Sequence, residues 1–249
     1  MTGIVEVRNL SFSYGRRRAL AGASWTIGPG VTALLGPNGS GKTTLIKCMV
    51  GLARPGSGQV IIGGRDVSDG RAAQKALGYV PQNPSLPGLA KVRDLVAYAA
   101  WLSGMEAART DAAVEAALDR MQALDLATRR IRTLSGGQRQ RVALATGIVH
   151  DPRILILDEP TVGLDPGQRL KVRQVIKQFA TERPVVLSTH LTEDVEHLAD
   201  SVGVLVHGRI QYQGPISELS MPETSGDGRP GSPFERAYDD LIVSLGGSE

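Results

Sequence analysis

Apolar and polar positions divide the chain into stretches of different period. Val5 and Val7 alternate with polar neighbours, and Val31–Leu35 is a short apolar run, so the first 35 residues are predicted to be β-structure. A glycine-rich turn, Gly36 to Gly41, then leads into a predicted helix over Thr43–Leu52. Gln59–Ile62 is a predicted strand entering a turn at Gly63-Gly64, and Leu77–Val80 is another, stopped by Pro81. From about 85 to 150 the period becomes helical. Val114, Ala117, Leu118, Met121 and Leu124 share one face, and Leu95, Tyr98, Ala99 and Leu102 share another; both stripes are expected to be core.

After Pro152 strands and helices alternate. Ile154–Leu157 is an apolar run suited to a strand covered on both faces, and Asp165-Pro166 opens a helix with Val172, Val175, Ile176 and Phe179 on its buried stripe. Pro184–Leu187 is the next strand, and Thr192–Leu198 the next helix, with Thr192 as its expected N-cap. Val202–Val206 and Ile210–Tyr212 flank Gly208 as a hairpin would. Residues 221–233 have linker composition, and beyond them Phe234, Tyr238, Leu241, Ile242 and Leu245 mark a short amphipathic helix expected to dock on the chain's own body. The pattern is that of one α/β domain over residues 1–220, with a helical unit inserted at about 85–150 and a linker and helix over 221–249.

Composition narrows the class. At 249 residues, 41% hydrophobic and 21% charged, the chain can bury a substantial core, and its net charge of +3 is too small to argue for nucleic acid. Arg16-Arg17-Arg18 and Arg129-Arg130 are read as solvated loop charge. The single cysteine, Cys48, excludes an internal disulfide and sits in an apolar helical stretch, where packing outweighs reactivity. The N-terminus lacks the apolar core of a signal peptide, and no apolar run approaches the ~20 residues that span a bilayer. A soluble protein is expected; any membrane part of its work must come from another polypeptide.

The chemistry begins after the Val31–Leu35 strand. Gly36, Pro37, Asn38, Gly39, Ser40, Gly41, Lys42 and Thr43 fit the pattern G-x(4)-G-K-[ST] between a predicted strand and a predicted helix. Glycines let backbone N–H groups turn inward around phosphates, and the helix start adds its free N–H groups and positive dipole end. Lys42 supplies a mobile charge, Thr43 a hydroxyl for Mg²⁺, and Thr44 a further hydroxyl. Downstream, Asp158 emerges at the carboxyl end of an apolar strand, where open α/β sheets bind ligands. It is the expected Mg²⁺ carboxylate, and Glu159 the expected general base for an attacking water.

These two motifs leave kinases, GTPases and motor ATPases open. Leu134-Ser135-Gly136-Gly137-Gln138, 23 residues from Ser135 to Asp158, adds a second anion-binding helix start. With it the chain resembles the ATP-binding cassette (ABC) nucleotide-binding domains over roughly residues 3–215. The resemblance implies a P-loop core with a mixed sheet, an N-terminal antiparallel β subdomain and an inserted α-helical subdomain. It also implies roles for further residues. Tyr14 would stack on adenine, with core packing the competing reading; Gln82 would reach Mg²⁺ and the attacking water. Gly163, Leu164 and Asp165 would run along a dimer seam, and His190 would contact the γ-phosphate. Thr146-Gly147 departs mildly from the family, in which arginine and alanine are frequent there.

The resemblance further implies two cassettes, identical or not, that sandwich two ATP molecules. Each ATP would lie between one P-loop and the other subunit's Ser135–Gln138, and hydrolysis would drive a separate transmembrane permease. Such a protein would be peripheral on the inner, cytoplasmic face of the membrane. The segments around Gly163–Pro166 and Thr189–Asp200 look most like exporter cassettes. The competing class is a soluble ABC ATPase acting on nucleic acid or ribosomes; a single P-loop and the absence of sustained heptads weigh against it.

Overall fold

A computed structural model describes residues 5–70, 73, 75–219 and 230–245. Among them ten strands form two sheets. β1 (Val5–Tyr14), β2 (Arg17–Ile27), β4 (Ser57–Ile62) and β5 (Arg65–Asp66) make an antiparallel sheet in the order β2-β1-β4-β5. β3 (Val31–Leu35), β6 (Leu77–Val80), β7 (Ile154–Asp158), β8 (Val185–Thr189), β9 (Ser201–Val206) and β10 (Arg209–Pro215) make the other, ordered β10-β9-β3-β8-β7-β6. All its neighbouring pairs are parallel except the β9–β10 hairpin.

The strand period of two explains how these layers stack. β3, β7 and β8 are buried at every position, as parallel strands covered on both faces must be. Leu34, Ile154, Ile156 and Val186 face a core shared with the antiparallel sheet and α1 (Lys42–Met49). Ala33, Leu35, Leu155, Leu157 and Leu187 face the opposite core, made with the remaining helices. Those are α2 (Val92–Leu102), α3 (Ala107–Arg120), α4 (Gly136–Ile148), α5 (Pro166–Ala180), α6 (Thr192–Leu198), α7 (Ile216–Leu219) and α8 (Pro233–Ser244). α8 docks on the chain's own body, as its stripe predicts: Phe234 and Ile242 are buried in this core. Of the predicted linker at 221–233, residues 221–229 lie outside the described residues, and Pro233 is already the first residue of α8.

Four expectations are corrected. On α2 the buried face is Val92, Val96 and Ala100; Leu95 and Ala99 are only partly buried, while Tyr98 and Leu102 are exposed. Leu124 is 41% exposed, in a 3₁₀ turn beyond the end of α3. Thr192 is the first residue of α6 rather than its cap; the cap is Leu191, and the Thr192 hydroxyl donates to Glu235 Oε1 at 2.7 Å. Arg17 and Arg18 belong to β2, not to a loop.

Gly147 has a packing reason: a Cβ there would lie 2.8 Å from Val80 Cγ2, so an alanine would force the Val80 side chain or α4 to shift. Cys48 is buried in α1, and desolvation pushes its thiol up to about 11. At pH 8 only about one thiol in a thousand is then thiolate. Iodoacetamide at that pH should modify Cys48 in the native protein at least ~100-fold more slowly than in guanidinium, by mass spectrometry. Comparable rates would contradict its burial.

Candidate functional site

The Gly36–Gly41 turn joins β3 to α1 and is shaped by contacts from both sheets. A Cβ at Gly36 would lie 2.3 Å from the Leu205 carbonyl oxygen, and Gly41, the cap of α1, has φ 109°. Gly208 N, in the β9–β10 loop, donates to the Ser40 carbonyl at 3.1 Å and braces the turn. Lys42 Nζ donates to the carbonyls of Gly36 (2.6 Å) and Pro37 (3.2 Å). Burial lowers the pKa of this ammonium, opposed by the charges of Glu159 and Asp158. The Ser40 hydroxyl is buried with no partner among the described residues. A buried cation resting on backbone carbonyls beside an orphaned hydroxyl is a cradle suited to an anion.

The acidic pair stands at the end of β7. Ser188 Oγ, on β8, donates to Asp158 Oδ1 at 2.5 Å. The next residue turns sharply: Glu159 has φ 51°, in the left-handed region, and its N–H points to the Ser188 carbonyl (3.1 Å) and hydroxyl (3.2 Å). Non-glycine residues held there cost of order 1 kcal/mol and cluster at functional sites. His190, just past β8, places Nδ1 3.0 Å from both carboxylate oxygens of Glu159.

These groups share one cleft of about 450 Å³, lined among others by Tyr14, Asn38, Gly39, Lys42, Thr43, Thr44, Gln82, Glu159 and His190. Tyr14 is half-exposed, its ring set edge-on to Phe12 at 4.8 Å, which favours a stacking surface over a core position. The oxygen donors suit Mg²⁺: Thr43 and Gln82 line the cleft, and Asp158 lies at the carboxyl end of β7, with β8 between it and β3. Among the described residues no three His, Cys, Asp or Glu side chains converge into a metal cage of their own.

Ser135, Gly136, Gly137 and Gln138 are not among the residues lining this cleft. They form the start of α4, closed by a reciprocal capping box: Ser135 Oγ accepts from Gln138 N (3.3 Å), and Gln138 Oε1 from Ser135 N (3.0 Å). Gly163 and Asp165 are exposed, Leu164 is half-buried, and Asp165 Oδ1 caps α5 through Gln168 N at 2.9 Å.

The sequence matches the ABC transporter family over residues 9–162. The chain belongs to that family. The Nod factor export ATP-binding protein I of Burkholderia orbicola is 36% identical over 226 residues, 90% of this chain and 74% of the relative. The sulfate/thiosulfate import ATP-binding protein CysA of Synechococcus elongatus is 34% identical over 218 residues, covering 86% of this chain and 63% of that protein. Among solved structures, cbiO1 from Clostridium perfringens, part of the ABC transporter complex cbiONQ, superposes with a TM-score of 0.79. It is 28% identical and covers 98% of this chain and 94% of that one.

Three residues in or around the candidate site carry no signal in the sequence. Arg17 lines the cleft beside Tyr14, yet resembles its solvated neighbours Arg16 and Arg18. Ser188 holds Asp158 from a strand 30 residues away. Gln168 accepts a hydrogen bond from Gly137 N at 2.6 Å, again across 31 residues. The parallel pairing of β7 with β8 accounts for the Ser188–Asp158 contact, but no local motif marks Ser188 or Gln168.

Proposed function

We propose that the chain is the ATP-hydrolysing subunit of an ABC transporter, closing on a second cassette around ATP and energising a separate permease, for export. What supports this most is the split of the anion-binding elements. The Lys42 cradle, Glu159 and His190 share one cleft, while the start of α4 lies outside it. Two copies set head to tail would bring one copy's α4 start to the other's cleft. The boundaries we assign are 1–220 for the ATP-binding domain, with helices inserted at 85–150, and 221–249 for a linker and a short amphipathic C-terminal helix.

In this reading Gly36–Thr44 bind the phosphates, Tyr14 the base, and Lys42 leaves its carbonyl partners to meet the outer phosphates. Thr43, Asp158 and Gln82 would hold Mg²⁺, which when bound offsets charge on the phosphate oxygens. Glu159 takes a proton from the attacking water, and His190 fixes the orientation of its carboxylate. Lys42, His190 and the partner copy's helix start stabilise charge gathering on the transferred phosphoryl group. Loss of the γ-phosphate then releases the two copies.

Among the described residues no helix is long and apolar enough to cross a membrane. We assign the permease to another polypeptide, and this chain to the inner membrane face, on the likeness to cbiO1, part of the ABC transporter complex cbiONQ. Tyr98 stacked on Trp101 (5.7 Å), with Leu102, gives such a partner an exposed apolar surface. Export rests on the likeness to the Nod factor export relative. Affinity purification of the chain from detergent-solubilised native membranes should recover a multi-span protein in stoichiometric amount. Ribosomal proteins or nucleic acid in its place would overturn the transporter assignment.

A further inference from the structure

The start of α4 is already occupied. Its capping box takes up the N–H groups of Ser135 and Gln138, and Gly137 N–H is held by Gln168 Oε1 at 2.6 Å. Gln168 is the third residue of α5, three beyond Asp165, whose carboxylate caps that helix. Its aliphatic part lies flat over Gly137: a Cβ on that glycine would fall 2.8 Å from both Cβ and Cγ of Gln168. A Cβ on Gly136 would lie 3.3 Å from Gln168 Oε1 and 3.5 Å from Leu164 Cδ2. The amide oxygen thus sits where an anion would have to approach, and it satisfies a donor that such an anion would use.

We infer that Gln168 is a positioning residue that caps Gly137 N–H in the separated subunit and is displaced by the terminal phosphate of ATP held by the second copy. The inference rests on the head-to-tail dimer proposed above. Closure therefore exchanges an internal hydrogen bond for a charge-assisted one, and the strength of the internal bond sets the ATP concentration at which two copies close. Gln168 lies one helical turn beyond Asp165, so release of Gly137 removes one of the links between the seam segment and α4, the approach of Leu164 to Gly136 being another. An amide at this position makes the cap strong enough to satisfy the helix start and weak enough to yield to a phosphate.

Two near-isosteric changes separate this from ordinary packing. Gln168→Met keeps the volume but removes the oxygen, leaving Gly137 N–H covered and without its acceptor. Gln168→Glu offers a stronger, charged acceptor that also repels phosphate. In a Glu159→Gln background, sedimentation across an ATP titration should show the midpoint of dimerisation about three- to tenfold lower for Met and at least threefold higher for Glu. ATP binding to the isolated cleft, followed with a fluorescent analogue at low protein concentration, should stay within twofold and reports that both variants fold. Unchanged midpoints, or shifts of the same sign, would overturn the role of Gln168 while leaving the dimer intact. A parent protein that never dimerises with ATP would remove both. Should Gln168→Met fail to bind the analogue, Gln168→Leu replaces it with the same expected sign.

Discussion

Glu159→Gln is expected to bind ATP as well as the parent chain, to hydrolyse it at least ~100-fold more slowly, and to accumulate as an ATP-bound dimer. The rate loss follows from geometry. Both oxygens of Glu159 lie 3.0 Å from His190 Nδ1, so an amide of the same shape keeps one bond and the orientation but accepts no proton from water. The left-handed backbone at φ 51° is equally open to glutamine, so the fold is spared. Removing a negative charge near Lys42 also eases the approach of phosphate, since Glu159 is the foremost charge acting on that ammonium. Phosphate release and size-exclusion chromatography with light scattering check both halves. Full turnover, or a strictly monomeric protein in saturating ATP, would refute the role of Glu159.

Lys42→Ala attacks the other side of the cleft. The ammonium is buried against two carbonyls, and burial lowers its pKa against the opposing charges of Glu159 and Asp158, so a bound phosphate would further offset the cost of its charge. Charge-assisted bonds to phosphate contribute roughly 1.5–3 kcal/mol, so ATP affinity should fall by about ten- to a hundredfold. Turnover at a fixed ATP concentration should fall further, because the same charge serves the transferring phosphoryl group. Calorimetric titration separates the two effects. Parent-like affinity and turnover would remove Gly36–Thr43 from the site.

The frame and most of the cleft were legible in the sequence because they depend on local rules. The apolar run Ile154–Leu157 suits a strand covered on both faces, which it forms, and the glycines before Lys42 suit a tight turn between strand and helix, which they make. The errors fall where the sequence is locally degenerate. VRDLVAYAAWL carries apolar side chains nearly all round, so two stripes fit equally well. Tertiary packing chose the slimmer Val92, Val96 and Ala100 face and left the bulky Tyr98 and Trp101 stacked outside. Thr192 has the chemistry of a cap, yet its hydroxyl found a stronger acceptor in Glu235 of α8. Ser188 and Gln168 act through partners some 30 residues away, and neither carries a motif of its own. Gln168 is the instructive case, since Gly137 N–H reads from sequence as free to bind an anion and is already taken.

The most direct test is the structure of Glu159→Gln with magnesium and ATP. The γ-phosphate held by Gly36–Thr43 of one copy should touch Ser135 and Gly137 of the other, with Gln168 withdrawn from Gly137. A bound nucleotide with residues 135–138 of every copy facing bulk water would contradict the account.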